Sequence, residues 1–271
     1  MENTNSLLVL EDIEQHLKSR RMIEQFKGFL GEDTLYFINS VLITVEANEK
    51  IQKCTAESIG IAALQAATLR LSCLPQLKQA YMIPYMRRKK TATGWAVYYE
   101  AKFSTHYLGE YTLAMRTGLY KIIDVIATPK GYRLVNMLGK GEQLIDENDQ
   151  PVTMLPKMDP TLAGGWYGYF VTHDGITKQI HMTKQEVHKH AQLHNPAGYA
   201  AAGSLWSDPK KSFYMEMKTA LRELLKWTEK STQTYGTRRR PANNMEIVEA
   251  EEVGSEVLPS STAIPVDVMF A

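Results

Sequence analysis

The chain has 271 residues, 44% hydrophobic and 23% charged, enough apolar content to bury a sizeable core and to exclude a disordered protein. Its net charge of +1 conceals an asymmetry. All 31 Lys and Arg lie at or before Arg240, while Glu246, Glu249, Glu251, Glu252, Glu256 and Asp267 lie beyond it, which leaves a body of +7 and a tail of −6. A body of that sign points toward a polyanion, and the acidic tail toward solvent or the same basic surface.

The N-terminal segment MENTNSLLVLEDIEQ has no basic stretch ahead of its short apolar patch, and no apolar run approaches the ~18 residues a membrane span needs, so the sequence reads as soluble and unexported. From Leu7 to Leu30 the residues Leu10, Ile13, Leu17, Ile23, Phe26 and Leu30 recur at helical spacing, predicting one amphipathic helix that Gly28 to Gly31 ends. Further helices are predicted over Thr34 to Ala47 and Thr55 to Leu71. The small residues of SIGIAALQAATLRL suggest close packing against a neighbour. Cys54 and Cys73 are too far apart for a CxxC pair, fit a reducing cytoplasm, and read as small helix residues.

After Pro75 the pattern turns to strands. AYMIPYM is followed by the basic run Arg87, Arg88, Lys89 and Lys90, a turn at Gly94 and a long second strand, which reads as a hairpin with a charged loop. In the second strand Trp95, Val97, Tyr99, Ala101, Phe103 and Tyr107 share one face, while Tyr98, Glu100, Lys102 and His106 share the other. A short helix in GEYTLAMRTG stops at Gly118, and strands follow at Tyr120 to Ala127 and Tyr132 to Leu138. Gly139 to Pro160 reads mainly as loop. Strands resume at Gly165 to Thr172 and Thr177 to Met182. Thr183 and Glu186 then form a T-x-x-E capping box for a helix running to about His194, and NPAGYAAAGS reads as a connector. The final helix is predicted over Asp208 to Trp227, with Asp208 as N-cap and Pro209 at the first helical position.

On that final helix Lys218 and Arg222 each fall within about 20° of Lys211, with Lys226 beside them, at ~100° per residue. Phe213, Met217, Ala220, Leu221 and Leu224 lie opposite. One side is core and the other a basic stripe with Trp206 and Tyr214 near its margins, a pattern suited to a phosphate backbone and to stacked bases.

The segment WSDPKKSFYMEMKTALRELLKW resembles the closing helix of the RecT family of phage single-strand annealing proteins, with its Met-x-x-Lys-Thr element at Met215 to Thr219. SIGIAALQAATLRL, AYMIPYM and EYTLAMRTG, whose Arg-Ser/Thr-Gly element is Arg116, Thr117 and Gly118, follow the family's order. The resemblance spans about Gln52 to Lys230; WTEKST stands where the family often has a Leu-Pro-like element.

The resemblance implies an α+β fold: a small twisted antiparallel sheet, the hairpin plus further strands, packed against helices. The N-terminal helical segment (1–31) and a disordered acidic tail (231–271) flank a core domain (32–230). It also implies a non-enzymatic protein without cofactors that binds single-stranded DNA, holds the annealed duplex intermediate and assembles into homo-oligomeric rings or filaments. Such a protein acts in the cytoplasm of a bacterial host beside a phage 5′–3′ exonuclease and the host single-strand binding protein. Arg116 and Lys218 match the family's basic positions. Phosphate roles for Arg70, Lys102, Lys121, Lys178, Lys210, Lys211 and Arg222, and stacking roles for Tyr107, Tyr120 and Trp206, are expectations from strand and helix faces.

Two other classes stand beside this one. His181, His188, His190 and His194 put four of the seven histidines in one stretch, the basis for a metal-dependent nucleic-acid enzyme, although HExxH is absent. DENDQP lacks the central Gly and terminal Glu of a calcium loop, and LGKGE is no GxxxxGK[ST] phosphate loop. The third class is a scaffold that recruits partners through its N-terminal helix and tail.

Overall fold

In the computed structural model, which describes residues 2–91, 94–139 and 141–233, the N-terminal pattern folds as two helices instead of one. Helix α1 (Glu2–Leu17) ends before Ser19, whose extended backbone and hydroxyl, accepting from the Met22 N–H, start α2 (Arg20–Leu30). The apolar period carries across the break because Ile13, Leu17, Met22, Phe26 and Leu30 all enter one core. Helices α3 (Thr34–Glu46) and α5 (Ala56–Thr68) lie where their patterns predict, with the short α4 (Glu49–Gln52) between them. Thr55 caps α5, and its Gly60, Ala62, Ala63, Ala66 and Ala67 are buried, so small residues there do serve close packing. The cysteines are not on helices. Cys54 sits in a bridge to Tyr99 between α4 and α5, and Cys73 in the segment after α5; both are free and buried.

Strands β1 (Ala80–Thr91) and β2 (Gly94–Thr105) form an antiparallel hairpin, and the basic run belongs to the strand, not to a loop. Arg87, Arg88, Lys89 and Lys90 pair with Tyr98, Val97, Ala96 and Trp95, so pairing continues to Thr91 opposite Gly94. The base of the hairpin is tied to the first core where the Ala101 N–H donates to Ser58 Oγ (3.0 Å) and the Thr55 N–H to the Tyr99 carbonyl (3.0 Å). The expected apolar face of β2 is therefore split. Ala101 is buried and Tyr99 and Phe103 are half-buried, whereas Trp95 and Val97 are exposed beyond the reach of α5.

Helix α6 (Tyr107–Met115) joins this core to a second one, with Leu113 in the first and Tyr107 and Ala114 in the second. Gly118 follows at φ 67°, the left-handed conformation its position predicts. Strands β3 (Tyr120–Thr128), β6 (Gly165–Thr172) and β7 (Thr177–Thr183) make an antiparallel sheet in the order β3-β6-β7. Between β3 and β6 lies the hairpin β4 (Arg133–Met137) and β5 (Gly141–Ile145); β5 falls where loop was expected, because Leu144 and Ile145 bury themselves while pairing with Leu134 and Arg133. Helix α7 (Lys184–His194) opens with the predicted capping box, and the connector contains the short α8 (Pro196–Ala200).

Helix α9 (Ser212–Leu225) starts three residues later than expected, with Lys211 at the N-cap position. Asp208 caps a turn instead: its carboxylate accepts the Lys210 N–H (2.9 Å) and its carbonyl accepts the N–H groups of Lys211 and Ser212. The architecture is thus α+β with antiparallel sheets, as expected, but the hairpin forms its own sheet apart from β3-β6-β7. The acidic tail beyond Arg240 lies outside the described residues.

Candidate nucleic-acid interface

Helix α9 keeps the predicted division. Met217, Ala220, Leu221 and Leu224 are buried against the sheet, while Lys218, Arg222 and Lys226 occupy its outer side. The side facing α7 and the sheet carries a polar residue that periodicity alone places among apolar ones: Glu216 is wholly buried, accepts the Trp166 indole N–H (3.1 Å), and pairs with His188 (3.0 Å) and Lys184 (3.3 Å). This carboxylate locks α9 onto β6 and α7 and so fixes the direction of the basic stripe.

Lys218 is half-buried. Burial and the neighbouring Arg222 hold its ammonium below the usual lysine range, and its Nζ lies 3.9 Å from the Met215 sulfur. Arg222 reaches Glu110 of α6 at 3.4 Å. Both cations face the start of α6, where the His106 ring serves as N-cap by accepting the Leu108 N–H. Burial, reinforced by Lys218 and Arg222 against the opposing hydrogen bond to the Lys78 backbone, pushes the His106 pKa down to about 4, so the imidazole is neutral at pH 7.

From His106 the surface continues onto the hairpin. The Tyr81 ring meets His106 edge-on at 5.2 Å. The strand register puts Tyr81, Ile83, Tyr85 and Arg87 of β1 on one face with Tyr98, Glu100, Lys102 and Ser104 of β2. There Lys102 lies over the exposed Tyr85 ring at 5.7 Å, and Arg87 pairs with Glu100 at 3.0 Å. Arg222, Lys218, His106, Tyr81, Lys102 and Tyr85 therefore line one continuous surface. Its Tyr81 to Arg87 stretch is ~20 Å long at ~3.3 Å per strand residue.

The other sequence-derived residues fall elsewhere. Arg116 caps α6 and gives both terminal nitrogens to the end of α5, to the carbonyls of Leu69 (3.0 Å) and Arg70 (2.9 Å). Arg70 in turn donates to the Phe29 carbonyl at 2.7 Å, so this pair ties three helices together at the far end of α6. Lys178 bridges Glu142 (2.9 Å) and the Trp227 ring (4.9 Å). Lys210 and Lys211 are exposed on the turn before α9. Lys121 lies on a cleft of about 1380 Å³ beside β3, whose lining also includes Tyr111, Tyr167, Tyr169 and Tyr214.

All three aromatics expected to stack on bases are buried. Tyr107 begins α6 inside the second core, Tyr120 packs on Phe170 and accepts the Glu229 N–H, and Trp206 packs against His188 and Tyr199. Their rings are occupied by the protein itself, whereas the Tyr85 ring is exposed and the Tyr81 ring is half-buried beside His106. The alternation of AYMIPYM, read with the same period of two as β2, marks those tyrosines; Lys78, in a left-handed turn before β1, has no such signal. Of the four histidines, His181 meets Thr128, His188 meets Glu216 and Tyr199, and His190 pairs with Glu223 while its ring lies 4.3 Å from that of His194. Among the described residues no three His, Cys, Asp or Glu side chains group as a metal site.

Fold and surface together define a protein that presents a basic, tyrosine-edged strip on an α+β scaffold. The RecT family model matches residues 36–258, and the chain belongs to that family, one of DNA recombination and annealing proteins. The match begins within α3 and extends past Lys230, wider at both ends than the motifs alone indicate. The chain is also similar to the uncharacterized protein YqaK of Bacillus subtilis (strain 168), with 28% identity over 212 residues that cover 78% of this chain and 65% of that protein's length.

Proposed function

We propose that this chain binds single-stranded DNA along the strip from Arg222 and Lys218 to Lys102 and Tyr85, and anneals complementary strands without ATP. The observation that carries the reading is the convergence of the family-matching helix α9 with the hairpin face through His106 and Tyr81. Lys218 and Arg222 repel one another in a partly desolvated setting, and a phosphate placed between them relieves that repulsion. Cations spaced along a strip grip the backbone and leave base edges free to pair, and exposed tyrosines accept any base. Annealing needs no bond made or broken, so no catalytic group is assigned. A homo-oligomer suits the task, since many weak contacts along one strand become effectively intramolecular. A phage exonuclease that exposes single strands and the host protein that coats them are the partners that family membership suggests.

The test is annealing of complementary oligonucleotides by the purified full chain, without nucleotide or divalent metal, across a salt series. Acceleration of pairing, with affinity for the single strand falling steeply as salt rises, is expected. Metal-dependent cleavage, or no binding at low salt, overturns the reading.

A further inference from the structure

The face of the hairpin opposite the DNA strip is itself a surface in need of a partner. By register Met86, Arg88 and Lys90 of β1 lie with Trp95 and Val97 of β2. Trp95 is 70% exposed, and Met86 and Val97 are each 54% exposed. Neither Arg88 nor Lys90 is ion-paired among the described residues. A tryptophan, a valine and a methionine side by side in water form an apolar patch larger than scattered surface residues make, and two cations flank it.

A complementary surface lies on the same chain. Helix α3 turns Phe37, Ile38, Val41 and Val45 inward and leaves Leu35 (58%), Tyr36 (76%) and Ile43 (55%) outward. These belong to a stripe at spacings of three and four residues that also includes Asn39 and Glu46. Acids stand at both ends, Glu32 and Asp33 before the helix, Glu46 as its last residue and Glu49 beyond it, all exposed and none ion-paired among the described residues. The stripe from Glu32 to Glu46 is ~21 Å long at ~1.5 Å per residue, and the hairpin patch from Met86 to Lys90 is ~13 Å long at ~3.3 Å per residue. The hairpin patch fits within the length of the stripe, both carry exposed apolar side chains, and their flanking charges are opposite in sign.

We infer that the Trp95 face of one copy docks on the outer stripe of α3 in a second copy. This rests on the oligomer of the proposed function and names the surfaces that build it. Because the two surfaces differ, the contact is heterologous: every subunit keeps one free hairpin and one free α3, so assembly runs head to tail into a ring or an open helix. The hairpin then works on both sides, Tyr85 and Lys102 toward DNA and Trp95 and Val97 toward the neighbour, which sets the strips of successive subunits in line.

The test uses two full-length variants altered only at exposed positions, Trp95→Ser with Val97→Ser and Tyr36→Ser with Ile43→Ser, each checked for an unchanged circular-dichroism melt. Sedimentation velocity without DNA is expected to show wild type above dimer size, each variant as a monomer, and an equimolar mixture as a dimer and nothing larger, since one intact hairpin and one intact helix remain between the two. Arg88→Glu with Lys90→Glu should also disperse the wild-type assembly, and adding Glu32→Lys with Glu46→Lys should restore it. A monomeric wild type, variants of wild-type size, or a mixture that stays monomeric overturns the inference. Loss of assembly on truncation after Arg240 assigns the surface to the acidic tail instead and also overturns it. Binding of an oligonucleotide one subunit long separates the two readings: the hairpin variant is expected to retain it, loss in that variant alone makes DNA the occupant of the Trp95 face, and absence of binding in wild type counts against annealing while leaving the assembly result intact.

Discussion

The indole N–H of Trp166 on β6 donates to Oε2 of Glu216 on α9 at 3.1 Å, with both side chains almost wholly withdrawn from water. Oε1 of the same carboxylate accepts from His188, whose other ring nitrogen meets the Tyr199 hydroxyl at 2.9 Å, and Lys184 approaches at 3.3 Å. Glu216→Ala strands an indole, an imidazole and an ammonium around a cavity, and is expected to cost ~3–5 kcal/mol in urea unfolding. Glu216→Gln should cost less, about 1–2 kcal/mol, because its carbonyl still accepts from Trp166 and its amide can donate to His188 in the other tautomer. Equal losses in the two variants would show that packing, not the hydrogen-bonded charge, holds α9 in place.

His106 gives stability a pH dependence. Its folded pKa of about 4 lies below the ordinary value of 6.5, so between those two values the unfolded chain binds a proton that the folded chain does not. Stability should therefore fall as pH drops from about 6.5 to about 4 and lose nothing further through this group below that. His181 and His190 shift in the same direction, so the informative quantity is a difference between proteins. His106→Asn keeps an N-cap acceptor without a titrating group, and its unfolding free energy should vary less with pH across that window than that of wild type. Parallel pH profiles would remove His106 from the account.

Arg116 and Lys218, the two basic positions that the sequence resemblance singles out, are engaged differently and should respond differently. Arg116 closes the end of α5, so Arg116→Ala should cost about 2 kcal/mol of stability, and Arg116→Lys should not recover it because one ammonium does not span the carbonyls of both Leu69 and Arg70 in fork geometry. Lys218→Ala with Arg222→Ala should leave the melt nearly unchanged and weaken single-strand binding for every sequence alike. The slope of log affinity against log salt should flatten by about 1.4, the contribution of two phosphate contacts at ~0.7 each. An unchanged slope places the strand elsewhere.

The contrast between those two residues shows what was legible in the sequence. Periodicity divided α9 correctly into core and basic sides, and local chemistry located the capping box at Thr183 and Glu186 and the left-handed Gly118, because these depend on neighbours within one turn. The break at Ser19, the strand character of Arg87 to Lys90 and the burial of Tyr107, Tyr120 and Trp206 depend on partners distant in sequence. A buried aromatic and a stacking aromatic look alike in a strand pattern, and an arginine aimed at a helix end looks like one aimed at a phosphate. Only the three-dimensional neighbours distinguish them, and for the same reason Glu216 had no signal: a glutamate in a helix pattern reads as solvated until its Trp166, His188 and Lys184 partners are seen.

The join between the two cores leaves no room for a side chain at Gly109. At Gly109, in the first half of α6, a Cβ would run into the Gln79 backbone carbonyl, the same carbonyl that accepts the His106 N–H at 2.9 Å, with the Leu71 side chain close behind. Neither backbone can yield without moving α6 away from the start of β1. Gly109→Ala is thus expected to destabilise the protein despite alanine's better helix propensity, worth only ~1 kcal/mol, and to shift Tyr81 relative to Lys218. Thermal unfolding should show a lowered midpoint, and binding of a short single strand should weaken at temperatures where the variant is still folded. By contrast Gly28→Ala in α2, where a Cβ meets nothing within 4 Å, should stabilise slightly and leave binding unchanged. A Gly109→Ala protein as stable and as tight-binding as wild type would mean that α6 and β1 can slide past one another, and the strip would then not be held by this junction.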